Sequence, residues 1–205
     1  LKLLIAAATQ QEILPFLTGP LLRHTDVLIT GVGIAAATFQ LTKHLHHEHY
    51  DLVLQAGVAG TFSDSYPPGS VVAVGKDCFG DAGALTDGQF ESFTDLGLSS
   101  ELEWMRNTHP LLAQLQLPIA NAITVNTITN HQDYIAALRH KYQPDIETME
   151  GAALHYVCGH LHKPYLQLRS ISNAVGERNK QHWQLNEAIT NLNATLQQLV
   201  RSLKP

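Results

Sequence analysis

The chain has 205 residues, enough for one α/β domain with a substantial buried core, and its 44% hydrophobic and 15% charged content suits a compact globular protein rather than a disordered one. A net charge of −5 with no Lys/Arg run leaves no footprint for nucleic acid or an anionic membrane, and no stretch approaches the roughly 18 apolar residues of a membrane span. Cys78 and Cys158 are too few for a disulfide framework and fit a reducing cytoplasm.

The opening run Leu1-Lys2-Leu3-Leu4-Ile5-Ala6-Ala7-Ala8 has no proper basic leader and stops at Gln10-Gln11-Glu12. It is expected to be a buried first strand over Lys2–Ala7, not a signal peptide. Val27–Thr30, Leu52–Gln55, Ser70–Val74, Ile119–Val125 and Pro164–Ile171 are further short apolar runs without clean alternation, as in strands covered on both faces. Between them, Ile34–His49 and Gly151–His162 have helical spacing, Gln132–Tyr142 follows a helix start at Asn130 and Asp133, and Trp183–Leu203 closes the chain as a helix. Pro67-Pro68-Gly69 and Pro144 supply turns. With no repeat or linker-like shift, the expectation is one three-layer αβα domain around a mostly parallel twisted sheet.

Two glycine segments follow strands. Thr30-Gly31-Val32-Gly33-Ile34-Ala35-Ala36 matches G-x-G-x-x-A, but a dinucleotide site also needs an acid at the end of the next strand. That strand ends Leu54-Gln55-Ala56-Gly57, and Asp51 precedes it, so a tight strand-to-helix turn is the simpler expectation. Gly57-Val58-Ala59-Gly60-Thr61 suggests a second turn. Two such turns at the carboxyl ends of parallel strands would frame a ligand crevice.

Three strand ends carry polar groups that would converge on that crevice: Glu12, Glu150 within Met149-Glu150-Gly151-Ala152-Ala153, and Arg169 with Asn173 in Arg169-Ser170-Ile171-Ser172-Asn173. Each has a plain explanation. Glu12 and Glu150 suit the first turn of a helix, Arg169 an ion pair, Met149 the core and Asn173 a turn cap.

In order, the motifs Ala8-Thr9-Gln10-Gln11-Glu12, Thr30-Gly31-Val32-Gly33, Gly57-Val58-Ala59-Gly60, Glu147-Thr148-Met149-Glu150-Gly151-Ala152 and Arg169-Ser170-Ile171-Ser172-Asn173 resemble those of the nucleoside phosphorylase/nucleosidase superfamily. The nearest branch is the methylthioadenosine/S-adenosylhomocysteine nucleosidases. The tail Ser172-Asn173-Ala174-Val175-Gly176-Glu177-Arg178-Asn179, followed by Trp183, is similar to the futalosine hydrolase branch, which releases hypoxanthine from futalosine in an alternative menaquinone pathway. The resemblance implies that Glu12 activates the attacking water, Arg169 keeps water and Glu12 in register, Glu150 accepts from the ribose hydroxyls, and Met149 packs on the sugar.

Asn173 stands where the adenosine-type nucleosidases carry Asp. An amide cannot give up a proton, but its NH₂ can donate to N7 and a 6-oxo group, which predicts hypoxanthine over adenine as the base. Phosphorylases of the superfamily hold phosphate with an Arg in the first loop. That loop here holds no cation, so water is the expected acceptor. Val58 replaces a hydroxyl residue usual in the nucleosidases, next to Gly57 in the same segment. Counting along the resemblance places the base against the backbone near Ile128 and Thr129, and makes Arg178 a candidate for the benzoate arm of futalosine.

A homo-oligomer in the cytoplasm is implied, with a small nucleoside as its partner and no cofactor. His44, His46, His47 and His49 crowd one helix end, but only His46 and His49 have near-facing spacing, so no metal is expected. The alternatives are a methylthioadenosine/S-adenosylhomocysteine nucleosidase, a nucleoside-binding protein without catalysis, and a dinucleotide-dependent reductase.

Overall fold

The six apolar runs all become strands in a computed structural model that describes residues 1–21, 25–100 and 103–203. In chain order the strands are β1 (Leu3–Ala7), β2 (Asp26–Ile29), β3 (Leu52–Thr61), β4 (Val71–Asp77), β5 (Gly83–Thr86), β6 (Gln89–Ser92), β7 (Met105–Arg106), β8 (Ile119–Thr124), β9 (Ile146–Thr148) and β10 (Tyr165–Ala174). The helices are α1 (Leu14–Leu17), α2 (Ile34–His47), α3 (Pro110–Gln114), α4 (Gln132–Tyr142), α5 (Gly151–His160) and α6 (Leu185–Leu203).

The main sheet runs β10-β4-β8-β9-β3-β1-β2, and β10 also pairs with β3. Strands β3, β10, β4, β8 and β9 therefore close into a ring, from which β1 and β2 extend. The sheet is mixed, which corrects the expectation of a mostly parallel one. Pairs β1–β2, β1–β3, β3–β10, β4–β8 and β8–β9 are parallel, whereas β4–β10, β3–β9 and β4–β7 are antiparallel. Strands covered on both faces carry similar apolar runs in either direction, so their composition does not report orientation.

Both faces of β1 are covered. Leu3, Ile5 and Ala7 pack with Phe16 of α1 and with Leu192, Leu196 and Val200 of α6. Leu4 and Ala6 pack with Leu41 and Leu45 of α2 and with Leu154 and Val157 of α5. Ala59, Val72, Val74, Ala120, Ala122, Ile146 and Ile171 draw on all five ring strands and form a further core cluster. Each fully buried Leu or Ile contributes about 1.5–3 kcal/mol relative to exposure.

The glycine segments behave differently from one another. Gly31 and Gly33 have φ of 81° and 91°, so the first is a left-handed turn leading into α2. The second was expected to be a turn as well, but Gly57–Gly60 lies inside β3 and pairs with β10 and β9. Its glycines make room for side chains arriving from neighbouring elements. Helix α4 has the expected bounds, but its N-cap is His131, without a side-chain cap bond, rather than an Asx residue. The β5–β6 hairpin turns at Asp87-Gly88, both with positive φ, an Asp-Gly signal of the usual hairpin kind.

Candidate active site

Glu12 stands on a 3-10 turn, Gln11–Ile13, directly after β1. Its Oε2 accepts from the Thr9 backbone N and Thr9 Oγ1, both at 3.0 Å, and its Oε1 accepts from Val58 N at 3.1 Å. The amide of Glu12 donates back to Thr9 Oγ1 at 3.3 Å. Behind the turn, Asn193 of α6 is buried; its Nδ2 donates to the Glu12 carbonyl at 2.8 Å and its Oδ1 accepts from Phe16 N at 3.1 Å. The carboxylate thus accepts from three donors, two on Thr9 and one on Val58, while Asn193 holds the main chain beneath it. The part of Val58 that serves it is the main-chain N–H, which any residue except proline supplies, so the lost hydroxyl does not undo this contact.

Gly57 is the junction between Glu12 and Arg169. A Cβ there would overlap Arg169 Nη1 and lie 3.0 Å from Glu12 Oε1. Arg169 is 1% exposed, lies behind the cavity wall, donates from Nη2 to Gln55 Oε1 at 2.6 Å, and has Nη1 4.0 Å from Glu150 Oε2. Its Nε has no hydrogen-bond partner among the described residues. Its buried positive charge lowers the pKa of the carboxyls of both Glu150 and Asp77. Glu150 answers with one oxygen, while the other accepts from Gly33 N at 2.9 Å. Burial pushes the Glu150 carboxyl above the usual range, while Arg169 and the Gly33 amide pull it down.

Glu150 is the N-cap of α5, yet its side chain caps nothing. That work falls to Thr148 and Thr124. Thr148 Oγ1 accepts from Gly151 N at 3.2 Å, Thr124 Oγ1 accepts from Ala152 N at 2.7 Å, and the two hydroxyls are 2.8 Å apart. Thr124 Oγ1 in turn donates to the buried Asp77 at 2.9 Å, which also accepts from Cys78 N at 2.8 Å and Gln167 Nε2 at 3.2 Å. Desolvation pushes Asp77 up to about 7 against these hydrogen bonds. Because the helix start is satisfied from below, the Glu150 carboxyl is left to face the cavity.

The cavity has a volume of about 280 Å³, and its lining includes Glu12, Val58, Ile128, Thr129, Met149, Glu150, Asn173 and Arg178. Of the ten candidate catalytic and binding residues, Arg169 and Gly57 are outside the lining, as are Gly31 and Gly33 of the first glycine turn. The structure adds Glu147, Ser172, Gly176 and Trp183 to the lining. Nothing in the alternating Ile146-Glu147-Thr148 run distinguishes Glu147 from an ordinary strand acid, and only its burial marks it. Asn173 sits at a bulge in β10; its Oδ1 accepts from Ser172 Oγ at 2.7 Å and its Nδ2 donates to Ala174 O at 2.8 Å. Arg178 lies with its Cζ 5.9 Å from the Trp183 ring centroid.

Among the described residues, no group of three or more His, Cys, Asp or Glu side chains is placed to hold a metal, and no helix is long and apolar enough to cross a membrane. Within the histidine-rich end of α2, His44 bonds Tyr50 OH at 2.8 Å.

A carboxylate held in place, a second carboxylate and an amide thus line one cavity, and comparison with known proteins gives the family of the chain. Residues 9–204 match the family model described as the phosphorylase superfamily, and the chain belongs to that superfamily. Within it, the chain is 32% identical over 181 residues to a futalosine hydrolase from Streptomyces coelicolor, covering 82% of this chain and 74% of the relative. A futalosine hydrolase structure from Helicobacter pylori aligns over 98% of this chain and 97% of its own, with a TM-score of 0.81 at 17% identity. The 5′-methylthioadenosine/S-adenosylhomocysteine nucleosidase of the same organism, solved with butyl-thio-DADMe-Immucillin-A, covers 98% of both chains with a TM-score of 0.83 at 18% identity. At such identities these two structures share the fold.

Proposed function

We propose that this protein hydrolyses the N-glycosidic bond of futalosine, releasing hypoxanthine and leaving dehypoxanthinyl futalosine, a step of menaquinone biosynthesis. The observation that carries this reading is that Glu12, Glu150 and Asn173 line one cavity, with Glu12 oriented by three donors and no cation in the loop before it. The kinship with futalosine hydrolases supports the same substrate.

Cleavage of an N-ribosyl bond passes through an oxocarbenium-like state, so the attacking water needs only modest activation. Glu12 takes the proton of that water. Glu150, an acceptor when ionised, binds the ribose hydroxyls, and Met149 covers the sugar face. Arg169 acts from behind the wall, through Glu150 and across Gly57 toward Glu12. Asn173 donates an amide N–H to the O6/N7 edge of the base. Against a 6-amino group that donor would meet another donor, an unmatched buried contact costing about 1–3 kcal/mol, or roughly ten- to hundredfold in preference. Ile128 and Thr129 flank the base, and Arg178 meets the benzoate arm at the mouth. The protein acts in the cytoplasm as a homo-oligomer whose partner loop closes the 5′ end of the site.

Replacing Glu12 by Gln tests the catalytic role. Turnover is expected to collapse while affinity for hypoxanthine stays within a few-fold, a split that a pure nucleoside-binding protein would not show. Unchanged turnover would refute the role given to Glu12.

A further inference from the structure

The O6/N7 edge of a 6-oxopurine presents two acceptors, and Asn173 does not serve both. One of its two Nδ2 hydrogens is committed to Ala174 O at 2.8 Å, and its Oδ1 is held by Ser172 Oγ, which fixes which way the amide faces. One N–H remains for the base. An amide also yields no proton, so the departing purine lacks a proton source at Asn173.

Glu147 stands in the right place to supply both. It is the β9 partner of Gly60, and Asn173 is the β10 partner of the same glycine. The two residues therefore flank Gly60 about 10 Å apart, at about 4.8 Å per strand, and both line the cavity. Gly60 has no side chain to fill the gap. Glu147 is half-buried and its carboxyl makes no hydrogen bond or ion pair within the described residues, unlike those of Glu12, Glu150 and Glu177, which do.

Building on the futalosine reading, we propose that Glu147 is the general acid: with Asn173 donating to O6, the Glu147 carboxyl donates to N7 and passes its proton to the purine. As the C1′–N9 bond breaks, its electron pair moves into the purine ring and N7 takes the Glu147 proton. Water forms the new bond to C1′ and gives its proton to Glu12. One proton has left Glu147 and one has reached Glu12, and both carboxyls re-equilibrate with solvent before the next turnover.

The electrostatics fit a proton-bearing carboxyl. Desolvation is the largest influence and, with Asp81 beside it, raises Glu147 to about 7, against the opposing pull of Arg178. Tyr134 of α4 also faces it and is itself raised, chiefly by burial. A general acid works best when its pKa lies near the operating pH.

The test compares the wild type with Glu147→Gln on futalosine across pH 5.5–9, and on p-nitrophenyl β-D-ribofuranoside, whose nitrophenolate departs without a proton. No side-chain hydrogen bond among the described residues is lost in the variant, and an unchanged melting temperature confirms its fold. The wild-type rate on futalosine is expected to fall about tenfold per pH unit above roughly 7. The variant should lose about 10²- to 10⁴-fold on futalosine, lose that alkaline limb, and stay within about threefold of wild type on the nitrophenyl riboside. A variant that keeps the wild-type rate and pH profile on futalosine, or that loses equally on both substrates, overturns the acid role while leaving the hydrolase reading intact. A wild type that frees no hypoxanthine from futalosine overturns both.

Discussion

Adding a single methyl group at Gly57 should damage both stability and catalysis, because it lands in the space between Arg169 and Glu12. The new Cβ would overlap Arg169 Nη1, approach Arg169 Cζ to 3.3 Å and lie 3.0 Å from Glu12 Oε1. Arg169 cannot swing into solvent, being 1% exposed, so it yields its 2.6 Å bond to Gln55. A hydrogen bond to a charged group is worth about 1.5–3 kcal/mol, and for a chain of this size that lowers the melting temperature by about 3–12 °C. Displacing Glu12 by even about 1 Å costs roughly a hundredfold in rate. Gly159→Ala is the control for rate, since nothing lies within 4 Å of the added Cβ there and Gly159 is remote from the cavity. Thermal melts and kcat/KM for base release measure both effects. A Gly57→Ala protein that melts within about 1 °C of wild type and keeps kcat/KM within threefold would show that Arg169 and Glu12 do not need the room that Gly57 leaves.

Two further outcomes concern stability. Gly159, exposed in α5 with nothing within 4 Å of its missing Cβ, should tolerate alanine with a gain of about 0.4–1 kcal/mol in chemical denaturation, and a loss would contradict the open space there. Asp77 is raised from 3.8 to about 7, so between those values the folded state binds more protons than the unfolded one and stability falls as pH rises. Asp77→Asn removes that slope: the melting temperature of the variant relative to wild type should improve from pH 5 to pH 8, and a difference that stays flat would contradict a raised Asp77.

The elements easiest to see in the sequence were those written in local pattern. Helix α4 runs from Gln132 to Tyr142 as its spacing predicts, and the Gly31/Gly33 turn follows from glycines that need positive φ. The Gly57–Gly60 segment was misjudged because a glycine required for a turn and one required for a neighbour's side chain look alike in one dimension. The neighbours that decide it, Arg169 and Asn173, arrive from β10. Strand direction was hidden for a similar reason, as was β9, whose three residues carry too little pattern to register. Motif order pointed to Glu12, Glu150 and Asn173, and the fold brings all three to one cavity. The supporting groups, Asn193 behind Glu12 and Asp77 with Thr124 beneath α5, were not legible. They are ordinary polar residues whose role exists only once distant elements meet.

The most direct measurement is chromatographic identification of the base freed when the purified protein meets futalosine, inosine or methylthioadenosine, with and without phosphate. The account predicts hypoxanthine from futalosine at a rate indifferent to phosphate. Adenine from methylthioadenosine with no hypoxanthine from futalosine, or turnover that requires phosphate, would contradict it.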